Sequence, residues 1–270
     1  MKRNIILSVS ILLFSSLAIQ AQNEFTEGKI IFQDTFDQKS NIPDTAVWIL
    51  CTPARNAWSQ HFEHVKGYEN VKVENGKLIL LATKQDGYYK NGGIRTKIGF
   101  PCNTRVSVKA RLNKLVKGGF PAIWQMPLKG KSWPISGEVD IMEWVQGTPK
   151  SVYQTVHTSY NEKHSSNHDT GVTSVTDDID VTEYHVYSAD RTPEAVIFYI
   201  DGVEKGRYSN FHNDEESIQF PFCELPFDII LNYSLGGELN GRMTWPGPID
   251  DKDLPGEFII DWVTVSELSD

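Results

Sequence analysis

The sequence predicts an all-β domain, a sandwich or barrel of short strands, and three observations carry that expectation. Runs that alternate apolar and polar residues recur, with turn signals about every 8 to 12 positions. Two dipeptides that favour tight hairpins, Asn75-Gly76 and Asp201-Gly202, sit between such runs. Beyond the N-terminus, no window of about 12 residues shows a 3.6-residue apolar period.

The elements follow in chain order. Met1 to Ala21 (MKRNIILSVSILLFSSLAIQA) places Lys2 and Arg3 before an apolar stretch and ends on small residues, the layout of a secretory signal. The stretch falls short of the about 20 residues a membrane span needs, and no second span follows. Export to the periplasm or medium is therefore expected, with cleavage after Ala21 and a single domain over 22–270. Val71 to Ala82 (VKVENGKLILLA) reads as two strands around Asn75-Gly76. Arg105 to Leu112 (RVSVKARL) alternates, so one face should be packed and the other wet. Val196 to Lys205 (VIFYIDGVEK) is a second hairpin, and Phe227 to Leu235 and Phe258 to Val265 are two further strands.

Composition narrows the function. The chain holds 26 Lys and Arg against 35 Asp and Glu; without Lys2 and Arg3 the balance is 24 to 35, a charge of −11. Nucleic acid and anionic membranes need clustered cations, so neither is an expected partner. Cys51, Cys102 and Cys223 are too few and too far apart for a zinc site or a disulfide scaffold. One disulfide with a free thiol, and three buried thiols, both remain open. Seven Trp residues are a high count for this size; some are expected to fill the core and others to line a cleft, because aromatic planes stack on the CH faces of sugar rings.

The most informative stretch is Trp133 to Trp144 (WPISGEVDIMEW). Val139, Ile141 and Met142 make it a strand, yet it carries Glu138, Asp140 and Glu143. Burying three carboxylates is costly unless they face a cleft or meet cations, and the nearest flanking cations are Lys131 and Lys150. In a regular strand Glu138 and Asp140 share a face and Glu143 points the other way. One extra residue at Ile141-Met142, a β-bulge, brings all three together. Two carboxyls about 5–5.5 Å apart are what glycoside hydrolysis with retention requires, one attacking the anomeric carbon and one protonating the departing oxygen. Glu143, beside Trp144 and facing two other acids, is the candidate proton donor, with Asp140 orienting Glu138.

The stretch Glu138 to Glu143 (EVDIME) resembles the bulged Glu-x-Asp-x-x-Glu signature of glycoside hydrolase family 16, the laminarinase, lichenase and agarase group. The resemblance runs through nearly the whole chain after the signal, from Phe32 to Asp37 (FQDTFD) and Phe120 to Pro127 (FPAIWQMP) to Pro226 to Asn232 (PFDIILN) and Asp261 to Val265 (DWVTV). It implies a β-jelly-roll sandwich of two antiparallel sheets with an open concave substrate cleft. Glu138 would be the nucleophile, Asp140 its helper and Glu143 the acid/base. It further implies that Trp124 and Trp133 are cleft aromatics, that His157 lies beside the carboxylates, and that Arg95 and Asn56 reach sugar hydroxyls on the non-reducing side.

Departures from the family pattern bear on specificity. Asn56 to Phe62 (NAWSQHF) replaces a stretch common in laminarinases, so Trp58 joins the expected substrate contacts and the distal sugar sites should differ. Arg191 stands where a Trp is common, and the polar segment Asn161 to Asp169 should shape the cleft rim, with His164, His168 and Asp169 as a minor metal candidate. These changes resemble members from gut bacteria that clip mucin-type O-glycans at β-linked galactose within N-acetyllactosamine repeats. The alternatives are an endo-β-1,3(4)-glucanase, a transglycosylase and a non-catalytic lectin-like jelly roll, the last having no need for Glu138 and Glu143 together. The resemblance implies a monomer that needs no cofactor, with a structural calcium at Asp261 as an option.

Overall fold

The computed structural model describes residues 26–54, 56–164 and 171–269, so the expected signal segment and residues His168 and Asp169 lie outside the described residues. The strands, in chain order, are β1 (Thr26–Asp34), β2 (Trp48–Leu50), β3 (Val71–Glu74), β4 (Lys77–Gln85), β5 (Tyr88–Lys90), β6 (Gly92–Thr96), β7 (Thr104–Leu112), β8 (Gly119–Pro127) and β9 (Glu138–Glu143). They continue with β10 (Val152–His157), β11 (Gly171–Thr176), β12 (His185–Arg191), β13 (Ala195–Ile200), β14 (Val203–Ser209), β15 (Phe227–Leu235), β16 (Glu238–Leu239), β17 (Arg242–Met243) and β18 (Gly256–Ser269). The helices described are single turns or little more, such as α1 (Ser159–His164) at the start of the polar segment.

Two antiparallel sheets form the jelly-roll sandwich. The outer sheet runs β14-β13-β12-β7-β18-β4-β3, with β1 added to β18 and β5 to β4. The second sheet runs β11-β10-β9-β8-β15-β6-β2 and carries the groove. Both expected hairpins form. Asn75 and Gly76, then Asp201 and Gly202, all take positive φ, the conformation that matches the twist of the flanking strands.

Strand alternation divides the second sheet's two faces. From β15, Phe227, Ile229, Leu231, Tyr233 and Leu235 enter the core between the sheets, each burial worth about 1.5–3 kcal/mol. The intervening Asp228, Ile230, Asn232 and Ser234 therefore lie on the sheet's opposite face, and Asn232 among them lines the groove. The wet face expected on β7 is drier than its alternation implies. Arg105 is buried because its guanidinium forms a two-pronged pair with Asp190, lies over the Tyr199 ring, and shares Asp190 with the Tyr199 hydroxyl.

The cysteines resolve into one disulfide, Cys102–Cys223, with Cα atoms 4.9 Å apart, and one buried thiol, Cys51. Arg191 braces the disulfide from both sides. It donates to the carbonyls of Phe100 and Pro101 before Cys102, and to that of Phe222 before Cys223. Its charge rests on the Phe227 ring, and burial pulls it down to about 9.

Asp261 does not fit a calcium site. Its two carboxylate oxygens lie 2.5 Å from the Lys77 ammonium and 2.8 Å from that of Lys109. Burial alone would raise Asp261, but hydrogen bonds from Lys109 and Lys77 outweigh it and hold the group below its usual range. Two ammonium groups already satisfy the charge that a cation would bring, and they would repel one. We expect a chelator to leave the Tm unchanged within about 1 °C, and Asp261→Asn to lower stability by about 1 kcal/mol. Thermal unfolding with and without EDTA checks both; a chelator-induced drop of several degrees would restore the calcium.

Candidate active site

The site starts from an irregularity in β9. Against β8, Ile123 pairs with Met142 and Trp124 pairs with Asp140, so Ile141 has no partner. Against β10, Tyr153 pairs with Glu143 and Thr155 with Asp140, two steps matched by three. Ile141 and Met142, adjacent in sequence, both enter the core. Two apolar residues pulled inward side by side are what turns the next residue outward. Glu138, Asp140 and Glu143 consequently line one open groove of about 830 Å³.

His157, the cross-strand partner of Glu138, closes the cluster. Its Nε2 lies 3.2 Å from Asp140 Oδ2 and 3.9 Å from Glu138 Oε1. The Trp133 side chain hydrogen-bonds Glu138, and its half-exposed ring stands 5.7 Å from the His157 ring. Burial, then the charge of Asp140, pushes Glu138 up to about 8, against the opposing pull of His157 and Trp133. Burial likewise pushes Asp140 upward. Two carboxyls in a poorly hydrated space do not both ionise readily, so near neutrality the pair keeps one proton between them.

The groove crosses the strands. On the β8–β15 side its floor is Trp124, whose indole N–H donates to Asn232 Oδ1 at 2.7 Å. Trp58 packs edge-on against Trp124 with ring centroids 4.9 Å apart. Asn56 also lines the groove, and its side-chain oxygen accepts from Ser59 N at 3.1 Å, fixing the turn that presents Trp58. The same segment is pinned to the opposite loop. Gln60 Nε2 and His61 Nε2 lie 3.0 and 2.9 Å from the Gly236 carbonyl oxygen. On the β10–β11 side the lining is Tyr153, Thr155, Thr173 and Val175, with Phe120, Trp245 and Pro246 on the flank.

Five of the six expected substrate contacts meet at this groove: Trp124, Trp133, His157, Asn56 and Trp58. Arg95 does not. Its guanidinium is committed to Asp228, 2.6 Å away, and neither residue lines the groove. Asp228 is fully buried, and burial pushes it up to about 6 against the pull of Arg95. A carboxyl buried on β15 needs a cation, and the Nε of Arg95 supplies it.

Sequence reasoning missed Tyr153, Asn232 and Trp245. Asn232 left a signal, as a polar residue within the apolar run FDIILNYSL. Trp245, in the turn-rich TWPGP, was legible only as a Trp without a strand to occupy. Tyr153 looked like any strand aromatic.

This geometry has matches among known proteins. The family model described as "Glycosyl hydrolases family 16" covers residues 58–264. A β-glucanase of Rhodothermus marinus is 27% identical over 269 residues, covering 93% of this chain and 89% of its own length. A keratan-sulfate endo-1,4-beta-galactosidase of Sphingobacterium multivorum is 26% identical over 90% of this chain, which spans 56% of that longer protein. One solved structure, reported with the finding that prominent members of the human gut microbiota express endo-acting O-glycanases to initiate mucin breakdown, is 59% identical. It has a TM-score of 0.86 and covers 89% of this chain and 100% of its own. The laminarinase structure from Rhodothermus marinus has a TM-score of 0.77 at 26% identity, covering 92% and 100% of the two chains. With a family match across three quarters of its length and the three acids gathered in an open groove, the chain belongs to glycosyl hydrolase family 16 and is an endo-acting β-glycosidase.

Proposed function

We propose that this enzyme cleaves internal β-galactosidic linkages of mucin-type O-glycans carrying N-acetyllactosamine repeats, with retention, and that it works outside the cytoplasm. The convergence of Glu138, Asp140 and Glu143 on one aromatic-walled groove supports the chemistry. The 59% identity to a structure from the O-glycanase study, joined by the likeness to a keratan-sulfate endo-galactosidase, supports the substrate. The Lys2-Arg3 start and apolar stretch support export. A β-glucan remains the second reading, favoured by the β-glucanase relative.

In the mechanism, the shared proton rests on Asp140 and leaves Glu138 anionic. A Glu138 oxygen attacks the anomeric carbon as the bond to the leaving sugar's oxygen breaks, and Glu143 gives that oxygen its proton. The glycosyl ester on Glu138 is then opened by water, whose proton passes to Glu143. Two inversions restore the starting configuration. An open groove admits chain on both sides of the cut, as endo action needs.

Incubation with mucin O-glycans, keratan, laminarin and mixed-linkage glucan, followed by identification of the released oligosaccharides, tests the substrate. Products ending in reducing galactose are expected from the first two. Release from the glucans alone would hand the assignment to the second reading.

The pH profile tests the shared proton. His157 is among the groups that favour the ionised Glu138, so His157→Gln raises the pKa of the pair. The acid limb of kcat/KM should move upward by about half a unit or more. An unmoved limb would show that His157 does not act on the pair.

A further inference from the structure

The segment from Gly236 to Gly247 plays no part in the chemistry described above. It contains a two-stranded ribbon, β16 and β17, that turns on Asn240 and Gly241, both at positive φ. Its neck is fastened: Gly237 N–H donates to the Gly247 carbonyl at 2.8 Å, and Thr244 donates to the Gly237 carbonyl from its backbone N–H at 2.9 Å and its hydroxyl at 2.8 Å. The fastened neck presents Met243 and Trp245, 51% and 52% exposed. The Trp245 ring is held edge-on by Phe120 at 5.5 Å and by Tyr153 at 5.0 Å. A Trp serving the core would be covered; this one is propped by two rings and left half open, in the same groove as Glu143.

We propose that Trp245 forms a binding shelf for the sugar ring on the leaving-group side of the cut. Continuity with the groove identifies the occupant. Tyr153 is the cross-strand partner of Glu143, and Glu143 is the residue assigned to protonate the departing oxygen. The pyranose bearing that oxygen therefore lies toward Tyr153 and the indole behind it, whereas Trp58 and Trp124 take the sugars on the other side. A flat CH face against an indole suits a hexopyranose such as N-acetylglucosamine.

The shelf rests on the endo-glycosidase reading, and its test separates the two. Trp245→Ala and Trp245→Phe are compared with the wild type on a glycan that the wild type cleaves and on a 4-nitrophenyl glycoside of the sugar before the cut. The aryl glycoside has no sugar on the leaving side. We expect kcat/KM on the glycan, relative to the aryl glycoside, to fall about tenfold or more for Trp245→Ala and about twofold to fivefold for Trp245→Phe. Trp245→Phe keeps a ring between Phe120 and Tyr153 and so keeps the test meaningful if Trp245→Ala fails to fold. Equal losses on both substrates, or no loss, would overturn the shelf alone. A wild type inert on every glycan would sink the endo-glycosidase reading first, and the shelf with it.

Discussion

Replacing Glu138 by Gln should reduce hydrolysis by about 10⁴-fold or more and, at the same pH, make the fold more stable. The loss follows from removing the carboxylate oxygen assigned to form the glycosyl ester, for which an amide is a poor nucleophile. A 2-fluoro sugar trap read by mass spectrometry should label the wild type at residue 138 and leave the variant unlabelled. The gain in stability has the opposite sign to most core substitutions, and its origin is the raised carboxyl. An unfolded chain releases the Glu138 proton near its ordinary value of 4.5, whereas the folded pair of Glu138 and Asp140, with Glu138 pushed up to about 8, keeps one proton between them over that range. Between those values the folded state binds more protons than the unfolded one, so stability falls as pH rises. Gln carries no such penalty. The variant should be more stable at pH 7 by about 1–3 kcal/mol, with the difference shrinking toward pH 4. Unfolding followed across that range checks this, and a variant less stable than wild type at pH 7 would mean that Glu138 is held by favourable partners and not confined against its charge.

Glu143→Gln should lower turnover of natural glycans by about 10²- to 10⁴-fold, the usual contribution of a positioned proton donor. Substrates whose leaving group departs without protonation, such as dinitrophenyl glycosides, should lose far less in the first step. The glycosyl ester should then accumulate, because the same residue activates the water. Added azide, which needs no deprotonation, should accept the sugar and form a β-glycosyl azide. Burst kinetics and product analysis check both points. An equal loss on glycan and dinitrophenyl glycoside would remove Glu143 from proton transfer.

What could be read from the sequence is what depends on neighbours along the chain. Alternation in FDIILNYSL and the Asn75-Gly76 and Asp201-Gly202 turns are local, and each strand and hairpin they predict is present. The bulge was legible because the spacing of Glu138, Asp140 and Glu143 conflicts with a two-residue period, and Ile141 resolves that conflict. The walls were not legible, because they bring together residues that no local pattern links. Trp245 reaches Tyr153 and Phe120 across about ninety and more than a hundred positions. Arg95 was read as a sugar contact because its partner Asp228, 133 positions away, gave no sign of being buried. Asp261 was open to calcium for the same reason, since Lys77 and Lys109 face it only once β4, β7 and β18 are side by side.

The Gly236 peptide oxygen links the two banks of the groove. The Gly236 carbonyl receives Gln60 and His61 from the bank that carries Trp58, and its own chain continues into the bank that carries Trp245. No side chain can be added at this residue, because a Cβ there would meet the Gly247 oxygen at 2.7 Å. Sequence drift on one bank is therefore felt on the other. Energetic effects of substitutions at 60–61 and at 243–245 should fail to add by about 0.5 kcal/mol or more, so a lineage that retunes its glycan preference would have to change the two banks in concert.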